Sequence, residues 1–217
     1  MPYIVELTLF IVVGVLLVLF FLFLFLRTPI KRFLYEHHTV RMYYKTVNRV
    51  ALDEDFYLIN EWSRVIYDAE GQSIHVDHLL FGNKFIYVIK DRYYQGAISG
   101  KADDPNWENF LTSKRKRTPQ NPLLLNKIRA DHIATLSGLS RAYFISIVLV
   151  NDDCLVVPFE NESKDNFLVS LSKLEKLIEA IEARKDVAPL KEEQLAIAVR
   201  DFAELNQSEK KNGRKKN

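Results

Sequence analysis

From Leu7 to Leu26 the chain runs for twenty residues without a charge, and only Thr8 and Gly14 dilute its Leu, Val, Ile and Phe. A bilayer core takes about 20 such residues at a rise of roughly 1.5 Å each. The run therefore predicts a transmembrane helix over residues 7–26, preceded by a short N-terminus over residues 1–6, and excludes a wholly soluble protein. A cleaved signal peptide is the competing reading. It asks for a basic leading segment, an apolar core of about 7–15 residues and a small-residue cleavage site, and none of these is present. The single Gly14 supplies no small-xxx-small motif for helix pairing in the membrane. Cys154 has no second cysteine to pair with, which excludes a disulfide-stapled secreted domain.

Charge orients the span. Glu6 alone stands before it, whereas Arg27, Lys31, Arg32, Arg41 and Lys45 follow it. Lys and Arg beside a span stay on the cytoplasmic side. The expectation is a single-pass membrane protein with its N-terminus outside and its C-terminal domain in the cytoplasm. All 30 Lys and Arg, and every one of the 28 Asp and Glu except Glu6, lie beyond the span. Basic charge concentrates in two short segments, the run Lys114–Arg115–Lys116–Arg117 and a tail over residues 208–217 expected to be disordered. What remains of the chain after the span is net acidic. Such segments suit nucleic-acid phosphates or, for the tail, anionic lipid headgroups. Each also reads as an ordinary solvated loop or frayed terminus.

Beyond the anchor, Phe33, His37, Val40, Tyr44, Val47 and Ala51 recur at helical spacing and predict an amphipathic helix from Phe33 to Leu52. Strands follow at 56–67, 73–81, 85–89 and 94–99, with a turn at Asp68–Gly71. The five apolar residues Phe85–Ile89 suit a central strand buried on both faces. Residues 100–120 read as a long polar loop. Asn121–Pro122 opens a helix, Asn as cap and Pro in the first turn, with Leu124, Ile128, His132 and Thr135 on one stripe. Strands at 142–150 and 154–159 and helices at 172–184 and 189–206 complete the chain. The alternation predicts an α/β domain over residues 33–206 with a mixed sheet flanked by helices.

Five pieces in order carry a resemblance: His75-Val76-Asp77-His78-Leu79-Leu80, Phe85-Ile86-Tyr87-Val88-Ile89, Gly96-Ala97-Ile98-Ser99-Gly100, Trp107 and Asn121-Pro122-Leu123. Together, within core motifs over 75–126, the sequence resembles the nuclease-related domain (NERD) family. That resemblance implies a restriction-endonuclease-like domain, often membrane-anchored. It also implies a site in which two carboxylates hold a divalent ion, usually Mg²⁺, while a Lys two residues after the second carboxylate serves the attacking water.

By that resemblance Asp77 occupies the first carboxylate position and Glu36 matches a family Glu on the first helix. Lys90 stands at the second carboxylate position, Arg92 at the Lys position, and Leu125 where the family has Gln. An ammonium about 4 Å from a divalent ion, at an effective dielectric near 20, repels it by on the order of 8 kcal/mol. Arg92 is a poor proton acceptor. Asp91 points to the other face of a regular strand; a bulge could turn it inward, and Tyr93 would then take the Lys position. The expectation is therefore a degenerate site of Glu36, Asp77, Lys90 and Arg92 that takes no cofactor, with the ammonium of Lys90 neutralising Asp77.

In the functional version, Lys90 and Arg92, with Lys114, Arg115, Lys116 and Arg117, bind the phosphates of DNA or RNA. In the structural version, Lys90 and Arg92 form a strand-end charge cluster without a ligand. Partners expected are the membrane, a nucleic acid and anionic lipid through the tail, with a protein partner the alternative to nucleic acid. The alternative function is a working nuclease with a rearranged Mg²⁺ or Mn²⁺ site of Asp77, Asp91 and Glu36. Zinc is a minor reading of His37, His38, His75, His78 and His132, which show no ligand spacing. His37 and His132 lie on apolar stripes and are expected to be partly buried. Tyr43, Tyr44, Tyr93 and Tyr94 could stack bases but read more simply as packing residues, and Trp107 as the anchor of its loop.

Overall fold

The structure, a computed structural model, describes residues 12–23, 41–65, 73–155 and 159–214, with side chains to Asn206. The chain divides into two compact units, one ending at Met42 and the other beginning at Tyr43. In the first, residues 12–23 are helical. The rest of the expected span, residues 1–6 and Glu36 lie outside the described residues, as does the turn at 68–71. Among the described residues no helix is long and apolar enough to cross a membrane.

The second unit is an α/β domain built on a five-stranded mixed sheet. Its strands are β1 (Tyr57–Val65), β2 (Ser73–Phe81), β3 (Ile86–Arg92), β7 (Phe144–Val150) and β8 (Asn166–Ser170), in that spatial order. The first three pair antiparallel, while β3, β7 and β8 run parallel. Phe85–Ile89 are all buried, as a central position demands. Helix α1 (residues 41–53) joins the domain through buried Tyr43, Val47, Val50 and Ala51. Tyr44, expected on its inner stripe, is instead its exposed neighbour.

Helix α2 (Pro122–Ser137) makes the crossover from β3 to β7, capped by Asn121, whose side chain accepts the Leu123 N–H at 2.9 Å. Its buried residues are Pro122, Leu123, Asn126, Ala130, Ile133 and Ala134, not the expected stripe. Ile128 is 49% exposed, and His132 and Thr135 are exposed as well. The reason is close approach. Two alanines let α2 sit low on the sheet, and the Asn126 amide donates to Val88 O at 2.9 Å and Ile147 O at 3.1 Å. Hydropathy turns such a helix the wrong way, because small and polar residues form its inner face.

Other boundaries also differ. The supposed loop at 100–120 holds β5 (Glu108–Thr112) and β6 (Arg115–Arg117), which form a small sheet with β4 (Ala97–Ser99). The basic run is thus a hairpin arm rather than a loose loop. Alternating long cations can pair as a short exposed edge strand, and Lys on an edge discourages further pairing. Gly96 has φ +83°, and a Cβ there would fall 2.1 Å from Phe110 O, so β4 and β5 can approach only because this residue is glycine. Trp107 anchors the excursion: its indole N–H donates to Lys101 O at 2.8 Å and its ring packs on Phe159.

Instead of a strand at 154–159, residues Asp152–Cys154 form a short 3-10 turn, and residues 156–158 lie outside the described residues. The eighth strand comes later, at Asn166–Ser170, and its polar start concealed it. Helix α3 (Leu174–Glu182) is followed by α4 (Glu192–Arg214). Residues 208–214 of the expected disordered tail therefore continue a helix. Glu and Lys are good helix formers, and no proline interrupts them. Residues 215–217 lie outside the described residues.

Candidate functional site

The carboxyl end of β3 is where α2 begins, and in open α/β sheets such strand ends are where ligands bind. Along β3 the residues alternate between faces. Val88 packs with Ala130, Ile133 and Ala134 of α2, so Lys90 and Arg92 continue on the α2 side. Asp91 turns the other way, toward α1.

On the α2 side, Lys90 Nζ donates to Asp77 Oδ1 at 2.7 Å, with the two side chains 12% and 19% exposed. His75 Nε2 lies 3.1 Å from the same oxygen. The Asp91 backbone N–H donates to Asp77 Oδ2 at 2.7 Å. Asp77 sits at an interruption of the sheet: the β1–β2 ladder passes from Asn60↔His78 to Trp62↔Val76, and Glu61, opposite Asp77, has φ +52°. A non-glycine residue in that region costs energy, and such residues gather at functional sites.

Arg129 adds a further positive charge on this side. Arg129, three residues after Asn126 on α2, feels the charges of both Arg92 and Asp77, and its guanidinium is pushed down from the usual arginine range, first by desolvation and then by Arg92. Its Nη1 is buried and has no hydrogen-bond partner. A buried polar group left so costs about 1–3 kcal/mol, more when charged. Asn126 Oδ1, on the same inner stripe, is likewise buried and unpartnered. Among the described residues no carboxylate pairs with Arg92 or Arg129.

On the α1 side His78 bridges two polar groups, while Asp91 Oδ1 stays buried without a hydrogen-bond partner. His78, 2% exposed, has Nδ1 2.6 Å from Asn60 Oδ1 and Nε2 3.0 Å from Asp91 Oδ2. The Tyr44 ring meets it edge-on at 5.6 Å, and Tyr43 donates its hydroxyl to Arg92 O at 2.9 Å. Burial raises the Asp91 carboxyl, offset in part by the hydrogen bond from His78.

The divalent ion that the resemblance implies does not fit these donors. The Asp77 oxygen that would face it is taken by an ammonium, and the Asp91 side chain is held on the opposite face. Among the described residues no three His, Cys, Asp or Glu side chains are grouped to hold a metal. Lys114, Arg115, Lys116 and Arg117 stand apart, exposed on the β5–β6 hairpin, where Lys116 pairs with Glu108 at 2.6 Å.

Comparison with known proteins adds the family. The profile of the nuclease-related domain matches residues 36–151, more than half of the chain. The chain belongs to the nuclease-related domain family. It is also 24% identical over 117 residues to an uncharacterised protein of Bacillus anthracis, and spans 53% of that relative's length. No solved structure matches it. The matched segment of this nuclease-related domain contains Asp77, Lys90, Asp91 and Arg92, and α2 with Arg129.

Arg129, Asn126, Asn60 and the pairing of His78 with Asp91 belong to no motif in the sequence. Arg129 and Asn126 share a helix face at i and i+3, a signal present in the sequence but masked by the larger Leu and Ile around them.

Proposed function

We propose that this chain is a membrane-tethered nuclease-related module that binds nucleic acid at the cytoplasmic membrane face without cutting it. The observation that carries the reading is the Lys90 Nζ–Asp77 Oδ1 contact of 2.7 Å. An ammonium there satisfies the carboxylate that a metal-dependent relative would offer to its ion, and leaves Arg92 beside it as a fixed cation for phosphate oxygens. At the position where the family places its Lys, Arg92 holds its proton and is a poor proton acceptor.

The exposed cations of Lys114–Arg117 supply a second, sequence-independent contact with phosphates. The apolar run from Leu7 to Leu26, with the Lys and Arg after it, supports the tether and its orientation. The basic residues of 208–217 suit anionic headgroups of the same membrane.

The full chain in detergent micelles, incubated with DNA or RNA and Mg²⁺ or Mn²⁺, is expected to retard the nucleic acid and leave it intact. Cleavage that vanishes in Asp77→Ala overturns the reading in favour of a rearranged nuclease using Asp77, Asp91 and Glu36. Absence of any nucleic-acid binding turns the domain over to a protein partner.

A further inference from the structure

We propose that Phe110 and Lys116, directly opposite each other across β5 and β6, form a stacking platform for an unpaired base, so that the nucleic acid this chain takes is single-stranded. The inference rests on the nucleic-acid reading above and names its substrate class.

The small sheet has two unlike faces, and its register separates them. Ile98 of β4 stands opposite Asn109 of β5, and both are buried, 8% and 7% exposed. Ile98 and Trp107 pack with Leu123, Val148 and Val150 of the main domain, so this is the inner face. Alternation along β5 sends Phe110 to the other face, opposite Ala97 on one side and Lys116 on the other. The outward face of a small antiparallel sheet is expected to be polar. A phenyl ring stands on this one all the same, 39% exposed, and Ala97 sets only a methyl group beside it.

Charge completes the platform. Directly opposed residues of an antiparallel pair hold their Cβ atoms about 4.5–5.5 Å apart, so the Lys116 stem borders the Phe110 ring. The Lys116 ammonium meets Glu108 at 2.6 Å, with the two side chains 59% and 45% exposed. An ion pair so exposed is held weakly, and a phosphate can take the ammonium from Glu108. Lys114, Arg115 and Arg117 are exposed on the same hairpin. Cations alone hold a duplex at least as well as a single strand, because duplex charge is dense, one per about 1.7 Å of axis. The exposed ring adds what only an unpaired strand can use. Bases in a duplex are stacked on one another, whereas an unpaired base of any sequence can lay its face on an aromatic side chain.

The test is binding of oligothymidylate, alone or annealed to oligoadenylate, to the full chain in micelles. The single strand is expected to bind on the order of tenfold tighter than the duplex, as one stacked base allows. Phe110→Leu, which keeps an apolar side chain without a ring, is expected to lose that preference, and Phe110→Trp to keep it. The emission gained in Phe110→Trp, over that of buried Trp62 and Trp107, is expected to be quenched by the single strand and not by the duplex. Lys116→Gln is expected to weaken both forms several-fold.

A duplex held as tightly as the single strand overturns the platform and leaves the nucleic-acid reading standing. No binding of either form overturns both. A preference that persists in Phe110→Leu assigns it to another part of the chain and overturns the platform, as does unchanged affinity in Lys116→Gln. Should Phe110→Leu fail to fold, the quenching in Phe110→Trp gives the readout, and emission indifferent to the single strand overturns the platform.

Discussion

Lys90 and Asp91 are neighbours in the chain, yet they end in opposite environments. On the α2 side, Lys90 and Arg92 join Asp77 and Arg129 in a cluster with cations to spare and a buried donor left over. On the α1 side, His78 joins Asn60 to Asp91 and Tyr43 holds the Arg92 carbonyl, with one Asp91 oxygen left as a buried acceptor. The contrast teaches that one strand end can carry an excess of positive charge on one face and a histidine-bridged carboxylate on the other. The period-two geometry of the strand sends the two sets of side chains to opposite faces.

Four experiments break or sharpen that contrast. The largest effect is expected for Lys90→Glu, which sets a second carboxylate against Asp77. Breaking a largely buried pair costs about 3 kcal/mol or more, so a marked loss of stability is expected in chelator. Mn²⁺ at millimolar concentration should recover much of it in the variant and little in the natural protein, read from thermal melts. A natural protein stabilised as strongly as the variant means that its cluster already accepts the ion.

Next comes His78→Phe, which leaves Asp91 buried without its partner. A loss of about 2–3 kcal/mol is expected in urea unfolding, with nucleic-acid affinity unchanged at temperatures where the domain is folded. Arg92→Gln should do the reverse. Stability should stay within about 0.5 kcal/mol, while affinity for nucleic acid falls several-fold and the salt slope shrinks by about one. A stability loss comparable with that of His78→Phe makes Arg92 a structural residue and removes the asymmetry between the faces.

The smallest effect concerns pH. Burial raises the Asp91 carboxyl above the ordinary aspartate value of 3.8. The native state then holds a proton that the unfolded chain has released, so this residue's contribution falls as pH rises from 3.8 through the raised native value. Asp91→Asn should remove that part of the decline in urea midpoints as pH rises above 3.8. Glu182, also raised by burial, should sustain the remainder, and a slope unchanged in Asp91→Asn would assign the whole of it elsewhere.

Periodicity and composition determined much of this molecule. The alternation of elements announces an α/β domain. The apolar run Phe85–Ile89 announces the central strand, and Asn121–Pro122 the start of α2. The order of the motifs between Asp77 and Asn126 announces the family. These signals are local, because backbone geometry and burial impose them residue by residue. What only the tertiary structure decided is which groups meet. Ala130 and Ala134 let α2 settle with Asn126 and Arg129 inward, against the direction its Leu and Ile suggest. The antiparallel register sets Lys90 against Asp77, and parallel pairing with β7 makes room for a crossover whose cations form a hairpin rather than a loop. Electrostatic partnership depends on distances across the fold, and no spacing along the chain encodes those.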